Sequence, residues 1–321
     1  VKALITGGTG FLGTELARVL LAKGDEVIVF DVDPNPGKLS DIKDSVTVAS
    51  GNLANASELY NIVKASRPDC ILHLASMLSV PSNQNPWASF QVNVVGTVNV
   101  LEAARLFDVP QVIFTSTVAT YGIGTGPEVD DYTLQRPTTM YGTGKLYCEC
   151  LGRFYRTRFG LDFRTVRFPS VLGPGAKVKH VAQYYAWMIE YPALGNPFEC
   201  FVAPETKGPG MYFKDAIHAL DLVSRAPREQ IETVNYNVAG IVPTPSAAQI
   251  EQAVKKVIPD AVITYNPEQP IMEYYKTMRI EVFDDTPARQ EWGWESKYGD
   301  LDTVVADFIH ELRTNPARYG L

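Results

Sequence analysis

The chain has 321 residues, 45% of them hydrophobic, and its 29 Lys and Arg stand against 36 Asp and Glu for a formal net charge of −7. That length supports one large core, or one domain with a smaller lobe, and the acidic balance without a basic stripe among the aromatics argues against a nucleic-acid partner. No run of about eighteen apolar residues occurs, so no membrane partner is expected.

The first strand-like run, KALIT at residues 2–6, begins at once, which predicts no signal peptide and a cytoplasmic location. A second run, EVIVF at 26–30, follows an amphipathic stretch from Phe11 to Lys23 in which Leu12, Leu16, Val19 and Leu20 recur at helical spacing. Further apolar runs at 46–49, 70–74, 111–115 and 163–168 alternate with helical segments near 56–66, 86–107 and 141–159. Continuous buried strands alternating with helices predict an α/β fold, a Rossmann-like doubly wound parallel sheet, over residues 1–170. Beyond residue 170, Pro and Gly break the pattern at 173–175, 192–197 and 203–210. The remainder, 171–321, is expected to form mainly a smaller C-terminal substrate-binding lobe, with segments near 210–240 returning to the first domain. Cys70, Cys148, Cys150 and Cys200 show no paired spacing and read as free thiols, and the four scattered histidines give no reason to expect a metal.

LITGGTGFLG places Gly7, Gly10 and Gly13 between a strand and a helix. In that context the first glycine allows a tight turn, the second admits a diphosphate to the backbone, and the third lets the helix pack on the strand. The helix start, at Phe11 and Leu12, offers unpaired N–H groups to the anion. Asp31 ends the second strand, where a carboxylate accepts from ribose hydroxyls and repels a 2′-phosphate, so NAD is favoured over NADP. Asn52 and Leu53 follow the third strand on the adenine side. HLAS, with Leu74, Ala75 and Ser76, ends the fourth strand on the same crevice, and Asn93 on the 86–107 segment is counted with the cofactor residues. His73 reads as a packed strand residue rather than a catalyst.

With a dinucleotide fold in place, FTSTVATYG (114–122) and MYGTGK (140–145) take on meaning. The glycine run, Ser116-Thr117 and Tyr141-x-x-x-Lys145 together resemble an extended short-chain dehydrogenase/reductase, the epimerase/dehydratase superfamily, over essentially the whole chain. The resemblance implies that Thr117, Tyr141 and Lys145 are catalytic, with Thr117 on the substrate oxygen, Tyr141 carrying the proton and Lys145 also holding the nicotinamide ribose. Ser116 is the lesser candidate for the substrate oxygen. A free phenol has a pKa of about 10, so a base at this position needs help, which the Lys145 ammonium and the nicotinamide charge are expected to give.

Within the superfamily the nearest likeness is to the short-chain type of L-threonine 3-dehydrogenase, carried by HLASMLSVPSNQNPW and DDTPARQEWGW. It implies a small-molecule substrate contacted by Ser79. Where those enzymes carry Thr-Thr-Asp and a tryptophan, this chain carries Lys177 to His180 and Arg279. Lys177, Lys179, His180 and Arg279 therefore become candidates for an anion pocket, with solvated surface cations as the alternative. The second reading is a nucleotide-sugar 4-epimerase or dehydratase with tightly held NAD. Ser170 and Gly208 stand where such epimerases place an Asn and an Arg on the diphosphate. A third, a non-catalytic dinucleotide sensor, is disfavoured by the intact Thr117, Tyr141 and Lys145. The resemblance also implies a homodimer through the 86–107 and 141–159 helices. Leu151, Phe154, Tyr155 and Phe159 form the candidate stripe, and Trp292 and Trp294 read as lobe core.

Overall fold

The computed structural model describes residues 1–320. Seven strands, β1 Lys2–Thr6, β2 Glu26–Asp31, β3 Val46–Ser50, β4 Cys70–His73, β5 Gln111–Thr117, β6 Asp162–Phe168 and β7 Asn235–Asn237, form one parallel sheet. Their spatial order is β7-β6-β5-β4-β1-β2-β3. The chain winds outward from β1 to one edge and then from β4 to the other. The switch between β1 and β4 leaves a crevice at the carboxyl ends of the strands.

Both faces of β1 are apolar because both are covered. Ala3 and Ile5 share a core with the Phe11–Ala22 and Phe213–Arg225 helices, whereas Leu4 shares another with the Ala56–Ser66, Gly96–Leu106 and Met140–Phe159 helices. Period-two alternation with no polar face is what buried parallel strands require. The segment expected as one helix over 86–107 is interrupted. Pro86–Ser89 leads into a π-helical stretch, Phe90–Val95, before the regular Gly96–Leu106 helix. Asn93 lies in that stretch, and its side chain is tied to the backbone of Met77, a contact that a hydropathy period does not encode.

The C-terminal half packs the helices Tyr184–Ala193, Ala247–Val257 and Leu301–Thr314 together. Three two-stranded parallel pairs join distant segments: Ser170–Leu172 with Gly210–Tyr212, Phe198–Cys200 with Ile263–Tyr265, and Glu128–Val129 with Val282–Phe283. Met188, Ile250 and Phe308 belong to the same core as Ile5 and Ile217, so this half and one face of the main sheet share their apolar interior. Trp294 is buried there and its indole N–H donates to Asp285 at 2.8 Å.

Asp215, fully buried at the start of the Phe213–Arg225 helix, accepts from the Ser296 hydroxyl at 2.6 Å and from the backbone N–H groups of Lys297 and Tyr298 at 2.9 and 3.0 Å. One carboxylate thus ties a sheet-covering helix to a loop of the C-terminal half. Replacing it leaves three donors and the buried end of the helix without their partner, and Asp215→Ala is expected to lower stability by about 3 kcal/mol in urea denaturation followed by circular dichroism.

Candidate active site

The glycine turn after β1 is shaped by contact. Gly7 has φ +70°, and a Cβ there would lie 2.8 Å from the Cα of Ala75; one on Gly13 would lie 2.3 Å from the Gly7 carbonyl oxygen. The helix that follows has Gly10 as its N-cap with no side-chain cap, so the first-turn N–H groups at Phe11, Leu12 and Gly13 face the crevice without a protein acceptor from the cap. Phe11 packs its ring at a tilt against Phe213, with centroids 5.9 Å apart.

Asp31 is held at the end of β2 by Thr9, whose backbone N–H and hydroxyl both donate to Oδ2 at 3.1 and 2.8 Å. Among the described residues its Oδ1 has no protein partner. Asn52 is exposed and uses its Oδ1 on the Ala54 N–H, while Leu53 is buried and its carbonyl accepts from Asn99 at 2.7 Å. Their backbone borders the sheet edge as expected, but the Leu53 side chain is core.

After β4, Leu74 and Ala75 are bound by Thr6, through its carbonyl at 3.2 Å and its hydroxyl at 3.4 Å. His73 spends both ring nitrogens on Thr6 and Thr97, at 2.7 and 3.0 Å, and burial drives its pKa down to about 3, with the Lys145 charge adding. It is a neutral packing residue. Asn93, expected among the cofactor residues, is buried with both amide ends on the Met77 backbone, so it clamps the 74–78 loop and offers no free group.

Tyr141 is the second residue of the Met140–Phe159 helix, whose start is capped by Thr139 on the Gly142 N–H at 3.0 Å. Gly142 explains the close seating. A Cβ there would fall 2.2 Å from the Ala119 carbonyl oxygen, in the turn just after Thr117. The helix start therefore lies directly on that turn, and the Tyr141 hydroxyl comes near the hydroxyls of Ser76 and Thr117. Burial pushes the phenol up to about 12, against the lowering effect of those two hydroxyls. Lys145, one turn along, donates to the Thr115 carbonyl at 2.7 Å and lies 5.7 Å from the Tyr141 ring centroid. Burial lowers its pKa to about 8, with Cys148 and Glu149 opposing.

Asp31, Thr9, Gly7, Ala75, Ser76, Tyr141 and Thr117 thus form one row of contacts across the ends of β2, β1, β4 and β5. Ser116 does not join it. It is buried on the same side of β5 as Phe114 and donates to Glu149, so it is corrected from a substrate candidate to a part of the interior. The proposed cation pocket is corrected as well. Lys179 is 44% exposed and paired with Glu268 at 2.6 Å, Lys177 donates to the Gly320 carbonyl, and Arg279 is exposed with its Nε on the Lys276 carbonyl. His180 is held neutral, burial taking its pKa down to about 4 against a hydrogen bond with Gln183. Ser79 begins the short Ser79–Gln84 helix and is half-buried. Two features escaped the sequence reading: Ser76 lies at the phenol rather than only along the cofactor, and Tyr274 of the Gln269–Thr277 helix has its own phenol raised by burial and by Tyr141 nearby. The HLAS string carried a hint of the first; nothing marked the second.

The row has the makings of a dinucleotide cradle, and the comparisons with known proteins agree. The chain belongs to the NAD dependent epimerase/dehydratase family, whose model matches residues 3–239, which makes it an NAD-dependent oxidoreductase of the extended short-chain class. Among its relatives is the mitochondrial L-threonine 3-dehydrogenase of Bos taurus, 32% identical over 96% of this chain and 82% of that protein. A GalE-like L-threonine dehydrogenase from Cupriavidus necator in its holo form superposes with a TM-score of 0.89 at 30% identity, covering 97% of this chain and all of that one. A Thermus thermophilus UDP-glucose 4-epimerase in complex with NAD shares the fold at a TM-score of 0.83 and 24% identity, covering 98% of this chain and 100% of that one.

Because burial raises the Tyr141 pKa, the phenol stays protonated below it. An ultraviolet difference titration of cofactor-free protein against Tyr141→Phe is expected to show no phenolate from this residue up to about pH 10.

Proposed function

We propose that the protein oxidises the secondary alcohol of a small polar substrate, L-threonine or a related hydroxy acid, with Tyr141 as the proton acceptor. The observation that carries this reading is the convergence of Ser76, Thr117 and Lys145 on Tyr141 at the end of a dinucleotide cradle. The residues present fit NAD: a Cβ at Gly7 or Gly13 would fill the cradle, the first helical turn supplies donors, and Asp31 offers Oδ1 to ribose hydroxyls while opposing a 2′-phosphate. When bound, NAD supplies the hydride acceptor and a positive charge that favours the phenolate. Thr117 and Ser76 orient the substrate hydroxyl toward Tyr141, which removes its proton. Lys145, with its pKa near 8, is mainly protonated at neutral pH and returns a donor to the ribose side. With Lys179 paired to Glu268 and Arg279 exposed on the Lys276 carbonyl, the polar ends of the substrate fall to uncharged donors, for which Ser79 and Tyr274 are the candidates.

The relatives named as L-threonine dehydrogenases support the substrate class. An epimerase acting on a nucleotide sugar is disfavoured by Gly208, which brings no cationic side chain to a diphosphate where such epimerases place an arginine. The test is NADH formation across L-threonine, L-serine, small 3-hydroxy acids and sugar acids. Turnover with a threonine-like substrate, reduced about 10²–10⁴-fold in Tyr141→Phe, is expected. No net NADH, together with conversion of a sugar nucleotide by protein that retains NAD, would sink the reading.

The protein is also proposed to be a homodimer. Of the candidate stripe, Tyr155 is buried at home and Leu151 packs on the core, but Phe154 is 53% exposed, with Phe159 and Tyr147 exposed beside it. Trp87, 70% exposed, borders an apolar groove of about 440 Å³ with Phe90 and Met140. Exposed apolar area of this kind on two adjacent helices is typical of an interface. Phe154→Glu with Phe159→Glu is expected to give a monomer by light scattering, and an unchanged mass in the wild type and the variant at monomer size would refute it.

A further inference from the structure

The Met140–Phe159 helix turns Tyr141, Lys145 and Glu149 toward the sheet at a spacing of four residues, and the three reach consecutive residues of β5. Tyr141 meets Thr117, Lys145 the carbonyl of Thr115, and Glu149 the hydroxyl of Ser116. Glu149 is fully buried. Its two oxygens accept from Arg167 in a fork, Nε at 3.0 and 3.2 Å and Nη2 at 2.8 Å, with Asn235 and Gln135 at 3.4 and 3.5 Å. Ser116 and Arg167 are partners across the β5–β6 ladder, so one carboxylate closes that rung immediately before Thr117. Arg167 reaches on to the Tyr121 hydroxyl at 3.2 Å and to Asp131, and Tyr121 ends the turn that follows Thr117. The segment carrying Thr117 is thus gripped on both sides from one buried ion pair.

We propose that Glu149 is a positioning residue of this site: by holding Ser116 and Arg167 it sets the register between β5 and the Met140–Phe159 helix, and so the placement of Thr117 against Tyr141 and Lys145. The inference rests on Tyr141 and Lys145 being the reacting pair. A buried ion pair contributes little stability that apolar packing would not match, so its value here lies in directional geometry. Glu149 also acts on the site through charge. It raises the Lys145 pKa against the desolvation that lowers it, together with Cys148. The other groups around the ammonium do not replace this effect: His73 of β4 is neutral, Tyr141 is protonated, and Phe114 of β5 presents its ring at 4.6 Å.

The experiment uses the full chain, with Glu149→Gln and with Ser116→Ala, which keeps the ion pair and cuts only its link to β5. Two quantities are read: kcat and KM with NAD and the substrate found, and the titration of Lys145 in cofactor-free protein by carbon-13 NMR of labelled lysine, assigned with Lys145→Arg. Ser116→Ala is expected to lower kcat about tenfold at unchanged KM for NAD, and Glu149→Gln to move the Lys145 midpoint about one pH unit lower. A wild-type kcat in Ser116→Ala, or an unmoved Lys145 midpoint in folded Glu149→Gln, overturns the proposal. If Glu149→Gln does not fold, the kcat of Ser116→Ala decides alone. Retained turnover in Tyr141→Phe would instead overturn the proposed chemistry, leaving the Lys145 titration to judge Glu149.

Discussion

The active site depends on how closely the Met140–Phe159 helix can approach the end of β5. At Gly142 the two backbones nearly touch: the Ala119 carbonyl occupies the space a side chain would need. From that contact the rest follows by helical geometry. Lys145 falls one turn along, over the Thr115 carbonyl, and Glu149 two turns along, over Ser116. Burial is the cost of such proximity. It drives the phenol up and the ammonium down, so the resting protein holds a neutral phenol beside a lysine whose proton is only moderately secure.

Much of this was legible in the sequence, for identifiable reasons. The strands and helices of the first half announce themselves because they are buried on both faces, and the glycine turn because its spacing meets three steric demands at once. Tyr141 and Lys145 are legible because their relation is local, four residues apart on one helix. What was misread is what depends on distant partners. Ser116 and Thr117 are neighbours in the chain, yet the alternation of β5 sends one to Glu149 and leaves the other at the crevice. Asn93 carries the donors and acceptors of a ligand-binding residue, but the backbone of Met77 consumes them. Lys179 and Arg279 read as a pocket only until Glu268 and the Lys276 carbonyl are placed beside them. Tyr141 bears on the Tyr274 phenol from more than a hundred residues away, and no periodicity predicts that proximity.

The relation between the two halves is closer than the loosening of pattern after residue 170 suggests. β7 comes from the C-terminal half and completes the sheet beside β6, and the Phe213–Arg225 helix covers the face that β1 presents through Ala3 and Ile5. The lobe supplies not only candidate substrate contacts but part of the wall behind the cofactor cradle.

The Asp215 latch bears on how such proteins can be recombined. Because a residue at the start of a sheet-covering helix is satisfied by the loop at 296–298, the C-terminal half is not a cassette that lifts out at a single junction. A chimaera joined anywhere between residues 215 and 296 inherits the carboxylate from one parent and its donors from the other. The workable crossover points are those that carry both together, which confines exchange of specificity to short segments grafted inside one parental frame.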